Sequence, residues 1–332
     1  MKMKRILLGV STALMLFAAL IPCATAEEED FIKWVDFDVT HCALDEALEA
    51  DLEYHDSDTP MDWVQLISYL GAKYGGDFSK YSSSDLAELV GKIAAGEDIM
   101  TLTETLSSYD YYYEAYSAVL GEFVGDYRVQ VPSEEGSKQT VWEEKYGLKV
   151  FSPIASGFYY EDYKDFGSSR TYGYARRHLG HDMFGQTGTP IIAIESGVVE
   201  VMGWNQYGGW RVGIRSFDGL RYYYYAHLRQ NLPYHCDLKE GETVKAGDVI
   251  GYMGHTGYSA NENVNNIKET HLHVGLQLIF DESQKEGAGE IWVDVYAITE
   301  LLRKNMSETY RVAETKEFYR KYDFDEPMLA EH

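Results

Sequence analysis

The chain has 332 residues, room for one large or two ordinary domains, and its 45% hydrophobic and 25% charged residues exclude a wholly disordered protein. Asp and Glu outnumber Lys and Arg 54 to 29, for a formal charge of −25. That balance excludes nucleic acid as the main ligand and disfavours docking on an anionic membrane, since both call for clustered Lys and Arg.

The first 26 residues have the three parts of a secretory signal peptide. Lys2, Lys4 and Arg5 form the positive end, Ile6 to Ile21 an apolar run, and Ala24-Thr25-Ala26 a small-x-small cleavage site. The apolar run is shorter than the roughly 20 residues needed to span a bilayer, so we expect cleavage and no stable membrane insertion afterwards. Cys23 raises a lipoprotein alternative, but Pro22 stands where a small residue belongs. Cleavage would leave Cys42 and Cys236; an exported protein can pair them, and free thiols are equally compatible. No Cys-x-x-Cys pair points to metal binding through sulfur.

Residues 27–130 read as a small helical domain. Ala43–Tyr54 is rich in Ala, Leu and Glu, and Met61–Tyr74 carries Trp63, Ile67 and Leu70 at three- and four-residue spacings after Asp58-Thr59-Pro60. Asp85–Ala95 follows three serines, and Tyr111–Val124 carries Tyr116, Val119, Leu120 and Phe123. Residues 131–147, with Pro132, Ser133, Gly136 and Ser137, read as a linker. From 148 to 300 the pattern turns to β: Pro190–Ile194, Gly197–Met202, Trp210–Ser216, Leu220–Tyr225, Val249–Met253 and Leu272–Phe280 are short runs between turn residues. The tail, 301–332, reads as helical again, part of a helix expected from about Val295 to Tyr319. The expected fold class is α+β, a mainly antiparallel β-sandwich preceded by a small helical domain.

The chemistry gathers in the β-rich part. His178-Leu179-Gly180-His181-Asp182 places a histidine four residues before a carboxylate. In the strand containing His271-Leu272-His273, residues i and i+2 share a face, so the two histidines point the same way. His227 follows the aromatic run Tyr222–Tyr225. Imidazole with carboxylate suits zinc, and a catalytic zinc site uses three protein ligands. His178, Asp182 and one of the paired histidines would supply three. The other, with His227, would stand beside the metal to move protons or stabilise an oxyanion.

These pieces, in this order, resemble the lysostaphin-type (LytM-type) zinc metallo-endopeptidases, which cleave peptide cross-links in bacterial peptidoglycan. The similar text is HLGHDMFGQTGTPIIAIESGVV at 178–199, GGWRVGIRSFDGLRYYYYAHL at 208–228, LKEGETVKAGDVIGYMGHTG at 238–257 and THLHVGLQ at 270–277. The resemblance covers about 100 of the 332 residues. It implies that His178, Asp182 and His273 ligate one zinc, that His271 is the general base for the attacking water, and that His227 helps to orient and stabilise the developing oxyanion. It further implies a secreted or wall-associated hydrolase acting on peptidoglycan peptides, with a non-catalytic wall-binding or scaffolding module as the alternative. Two features depart from the family pattern. The loop 255–269 is long and polar, with Glu269-Thr270 before His271, and it belongs at the rim of the groove. The helical region shows no peptidoglycan-binding repeat. The biotinyl-carrier look of Lys239–Asp248 lacks the Met-flanked lysine a carrier needs, so it reads as a plain turn. His181 is expected to be structural or exposed.

Overall fold

A computed structural model describes residues 31–134, 136–171 and 175–330. The signal peptide and Cys23 lie outside the described residues. Six α-helices occur among them: α1 (His41–Tyr54), α2 (Trp63–Tyr74), α3 (Ser83–Ala94), α4 (Ile99–Thr103), α5 (Tyr109–Leu120) and α6 (Tyr296–Leu301). Local chemistry sets their ends. The Thr40 hydroxyl accepts from the Ala43 N–H and Asp62 from the Gln65 N–H, each satisfying an orphan donor of a first turn. Gly75, with φ 66°, closes α2 in the left-handed conformation that a side chain would resist.

The main sheet has eight strands, all paired antiparallel. Its order is Thr243–Val244, Gly197–Asn205, Gly209–Ser216, Arg221–Ala226, His271–Leu278, His181–Phe184 and Glu161–Tyr163, with Ile291–Val293 also pairing with His271–Leu278. One three-stranded and three two-stranded sheets also form among the described residues. The expected α+β class, helices first and antiparallel strands after, is what forms. One continuous apolar core joins both parts, from Leu44, Leu66 and Val119 of the helices to Ile214, Tyr225, Leu272 and Leu276 of the sheet.

A buried cation fastens the two parts. Arg221 has no exposed surface. Its guanidinium donates to Glu195 Oε2 at 2.8 Å and Oε1 at 3.0 Å, to Asp218 at 2.7 Å and to the carbonyl of Ala118 in α5 at 2.9 Å. The Tyr223 hydroxyl adds a 2.6 Å bond to the same Glu195. Every nitrogen of the guanidinium thus meets an acceptor, the condition under which a buried charge is tolerated.

Two expectations about the chain's layout need correction. Residues 131–147 are no linker: Val124–Pro132 and Thr140–Leu148 pair as one long hairpin. It is tied down from outside, by the Tyr146 hydroxyl donating to Asp51 of α1 at 2.7 Å and by Arg128 pairing with Asp325. The tail is helical only over α6, the following turn Leu302–Lys304 and a short 3-10 turn at Pro327–Ala330. Between these two turns, Thr309–Arg311 pairs with Phe318–Arg320, and Phe324–Asp325 adds a third strand to the long hairpin. Phe324 is fully buried, with its ring edge-on to Phe151. Apolar anchoring of that residue overrides the helical look of the charged segment before it.

Candidate active site

Alternation along the central strands builds a floor. On His271–Leu278 the core takes Leu272, Val274 and Leu276, leaving His271, His273 and Gln277 on the other face. On Arg221–Ala226 the core takes Tyr223 and Tyr225, leaving Tyr222, Tyr224 and Ala226 beside the histidines. That second face is the floor of a cleft of about 700 Å³. Register then fixes the neighbours: His273 lies opposite Asp182 on one side and Ala226 on the other, and His271 lies opposite Phe184. His178, Asp182, His227, His271 and His273 all line the cleft, so the structure brings together every site residue expected from the sequence.

Three of them converge on one point. His178 Nε2 lies 3.0 Å from both Asp182 Oδ1 and His273 Nδ1, and His273 Nδ1 lies 2.9 Å from the same Asp182 oxygen. Two imidazole nitrogens and a carboxylate oxygen packed this closely form the neutral-imidazole and carboxylate donor set that a small divalent cation takes. A metal ion fits the residues present. Gly180 makes the approach possible, since a Cβ there would come within 2.6 Å of the His273 ring.

The surroundings hold these three side chains in place. The Asp165 carboxylate stands 2.8 Å from His178 Nδ1, behind the ring whose Nε2 faces Asp182 and His273. Arg170 pairs with Asp165 and reaches Asp182 Oδ2 at 3.1 Å. Burial pushes the Asp182 carboxyl up, but hydrogen bonds to His178 and His273 outweigh it and hold it far below the usual carboxylate range. Burial lowers His273, which favours the neutral ring a metal needs. Sequence reasoning missed Asp165 and Arg170. Neither falls in a periodic run or near a histidine motif, so no local signal marks them.

His271 and His227 stand beside this cluster, their ring centroids 4.8 Å apart. His271 Nδ1 donates to the Glu269 carbonyl at 2.9 Å, and His227 Nδ1 donates to the Thr256 carbonyl at 3.0 Å. A carbonyl can only accept, so each ring carries a proton on Nδ1, the tautomer whose neutral form has its lone pair at Nε2. Burial, helped by the neighbouring His271 and His273, pushes His227 well below its ordinary value and keeps it neutral. His227 also has a left-handed backbone, φ 64°, held by its N–H donating to the Gly208 carbonyl at 2.8 Å. Such strain in a non-glycine residue is concentrated at functional positions.

The loop 255–269 does border the cleft, through Tyr258, Ile267, Lys268 and Glu269. Asn263 pins it: its amide oxygen accepts from the Trp210 indole at 2.9 Å and the Asn231 N–H at 2.8 Å. His255 donates to the Ile267 carbonyl at 2.8 Å and serves the loop. His181 is structural, buried against Thr299 at 2.8 Å on the opposite face of its strand. Cys42 and Cys236 are both exposed and unpaired. Among the described residues no helix is long and apolar enough to cross a membrane.

The model of peptidase family M23 matches residues 176–285. These residues form an M23 domain. The chain is 37% identical over 124 residues to the L-Ala–D-Glu endopeptidase of Bacillus subtilis (strain 168), which covers 37% of this chain and 36% of that protein. Lysostaphin of Staphylococcus simulans is 42% identical over 83 residues, 25% of this chain and 16% of the relative. The chain thus spans only about a third and a sixth of these two proteins. A crystal structure from Ruminococcus gnavus ATCC 29149, of a candidate glycyl-glycine endopeptidase lytM, superposes with a TM-score of 0.51 at 22% identity. It covers 83% of this chain and 92% of its own, so the likeness of fold takes in more than the M23 domain. All five site residues fall within or at the edge of the M23 match, whereas Asp165 and Arg170 precede it. Asp165→Asn is expected to weaken metal binding about 10- to 100-fold, the usual cost of losing a carboxylate behind a ligating histidine. A competitive chelator titration would read it, and an unchanged affinity would remove Asp165 from the site.

Proposed function

We propose that the chain is an exported zinc metallo-endopeptidase that hydrolyses peptide bonds in bacterial peptidoglycan. The observation that carries this reading is the convergence of His178, Asp182 and His273 on the cleft floor with His271 and His227 beside them. His178 Nε2, Asp182 Oδ1 and His273 Nδ1 are the atoms that would hold the metal. Zinc bound there supplies Lewis-acid polarisation of the scissile carbonyl and activation of water near neutral pH. His271 takes the proton of the attacking water at Nε2 and passes it to the departing amine nitrogen. His227 also begins with a lone pair at Nε2, so it first orients the water as an acceptor. It can donate to the oxyanion only after gaining a proton, because the Thr256 carbonyl keeps its other nitrogen occupied.

The similarity to lysostaphin-type enzymes supports peptidoglycan as substrate, and the composition of residues 1–26 supports export. The test is digestion of purified peptidoglycan with mass analysis of the fragments. New amino termini within stem or bridge peptides are expected. Intact peptides, or cleavage of soluble proteins alone, would overturn the substrate.

A further inference from the structure

In so acidic a chain the cleft wall is unexpectedly basic. Arg211 belongs to the strand Gly209–Ser216 and lies on its cleft side, alternating with buried Val212. Arg176 enters from the strand Ala175–Arg177. Its guanidinium lies over the rings of Tyr258 and Tyr207, 4.9 and 5.6 Å from their centroids, and donates to the Tyr258 hydroxyl. Arg170, Arg215 and Arg221 all meet carboxylates; Arg176 and Arg211 form no ion pair among the described residues. The Nε of each is buried with no hydrogen-bond partner, which leaves donor capacity unused in a partly desolvated place.

Both cations line the cleft beside the histidine cluster. One step beyond the Val212–Tyr225 pair, register sets Arg211 beside Ala226, which lies opposite His273, and the Tyr258 ring under Arg176 stands 6.0 Å from the His227 ring, centroid to centroid. Tyr224 lines the same cleft. Its ring stands edge-on to His273, with centroids 6.0 Å apart. Small residues leave room for it: Tyr224 is flanked across the sheet by Gly213 and Gly275, and a side chain at Gly208 would collide with its hydroxyl. Glu269, Glu286 and Glu290 also line the cleft, but the Glu290 carboxylate accepts from the Trp292 indole at 2.9 Å and the Gly287 N–H at 3.2 Å.

We propose that Arg211 and Arg176 form a carboxylate-binding subsite that selects the substrate. The enzyme then favours stem peptides with a free carboxylate one or two residues from the scissile amide, at roughly 3.3–3.6 Å of extended chain per residue, over neutral glycine bridges. Guanidinium groups suit this task, since their fork of donors matches a carboxylate and stays charged at any working pH. The inference rests on the peptidase reading above and specifies its substrate class.

The test uses the zinc-loaded full chain and three synthetic peptides. Two are matched and differ only in a free carboxylate against a carboxamide on the glutamyl residue beside the scissile bond; the third is pentaglycine. Wild type is expected to favour the carboxylate peptide by about tenfold or more in kcat/KM, the usual worth of a charge-assisted bond in a partly buried site. In Arg211→Gln and Arg176→Gln that ratio falls towards one, mainly through KM. Arg211→Lys recovers part of it, which a loss of packing would not allow. A ratio near one in wild type, or one retained in both Gln variants and their combination, overturns the subsite. Cleavage of pentaglycine alone overturns it as well and leaves the peptidase reading standing. Cleavage of none of the three removes that reading and the subsite with it.

Discussion

His178→Ala and His271→Ala are both expected to abolish hydrolysis of peptidoglycan, but for reasons that metal analysis separates. His178 supplies one of three converging donor atoms, and its loss leaves Asp182 and His273 as a two-point site. Bound metal should fall well below one ion per chain. Activity should fall roughly a thousandfold or more, because each tenfold is about 1.4 kcal/mol and Lewis-acid stabilisation is worth several kcal/mol. His271 Nε2, by contrast, stands 3.8 Å from Asp182 Oδ1, outside the tight triad of 2.9–3.0 Å contacts. His271→Ala should keep its metal and lose about 10²- to 10⁴-fold in turnover, the range for a positioned base. Equal metal loss in both variants would mean that His271 is a ligand. A metal-replete His271→Ala enzyme at full rate would mean that the base lies elsewhere, with His227 the first candidate.

Arg221→Met is expected to destabilise the protein by about 3–5 kcal/mol, because it strands the buried Glu195 carboxylate beside the Tyr223 hydroxyl and frees the Ala118 carbonyl of α5. The effect lies in folding and only indirectly in catalysis, since Arg221 belongs to the layer that fastens the helices to the sheet. Replacing Glu195 by Gln in the same chain should recover part of the loss, because the stranded charge is the expensive element. Thermal and denaturant melts would measure both. A melting temperature within a degree or so of wild type in Arg221→Met would show that water or repacking satisfies Glu195, and would demote the cluster to a minor contact.

Much of this site is legible in the sequence because strand alternation is a strict rule. Period two puts His271 and His273 on one face with Leu272 in the core, and the structure keeps that arrangement. The meeting of His178 and Asp182 with His273 depends on strand register, which no local pattern states; the family resemblance supplied it. Asp165 escaped notice because it lies in an irregular turn, where neither periodicity nor a motif marks a residue that acts through His178. The cleft's basic wall was equally hidden, since Arg176 and Arg211 are 35 positions apart and come to one cleft only in the folded chain. The hairpin taken for a linker shows a third limit. Its second strand is largely solvent-exposed and polar, without alternation, and the hairpin is held by distant partners, Asp51 holding the second strand and Asp325 the first. Tertiary anchoring of this kind decides structure where local propensity is weak.

The most direct test of the central claim measures metal content and peptidoglycan hydrolysis on one purified sample, before chelation, after it, and after zinc is restored. The account predicts about one zinc per chain with activity, loss of both on chelation, and return of both with zinc. Full activity in the metal-free protein, or one bound zinc with no release of new amino termini from peptidoglycan, would contradict it.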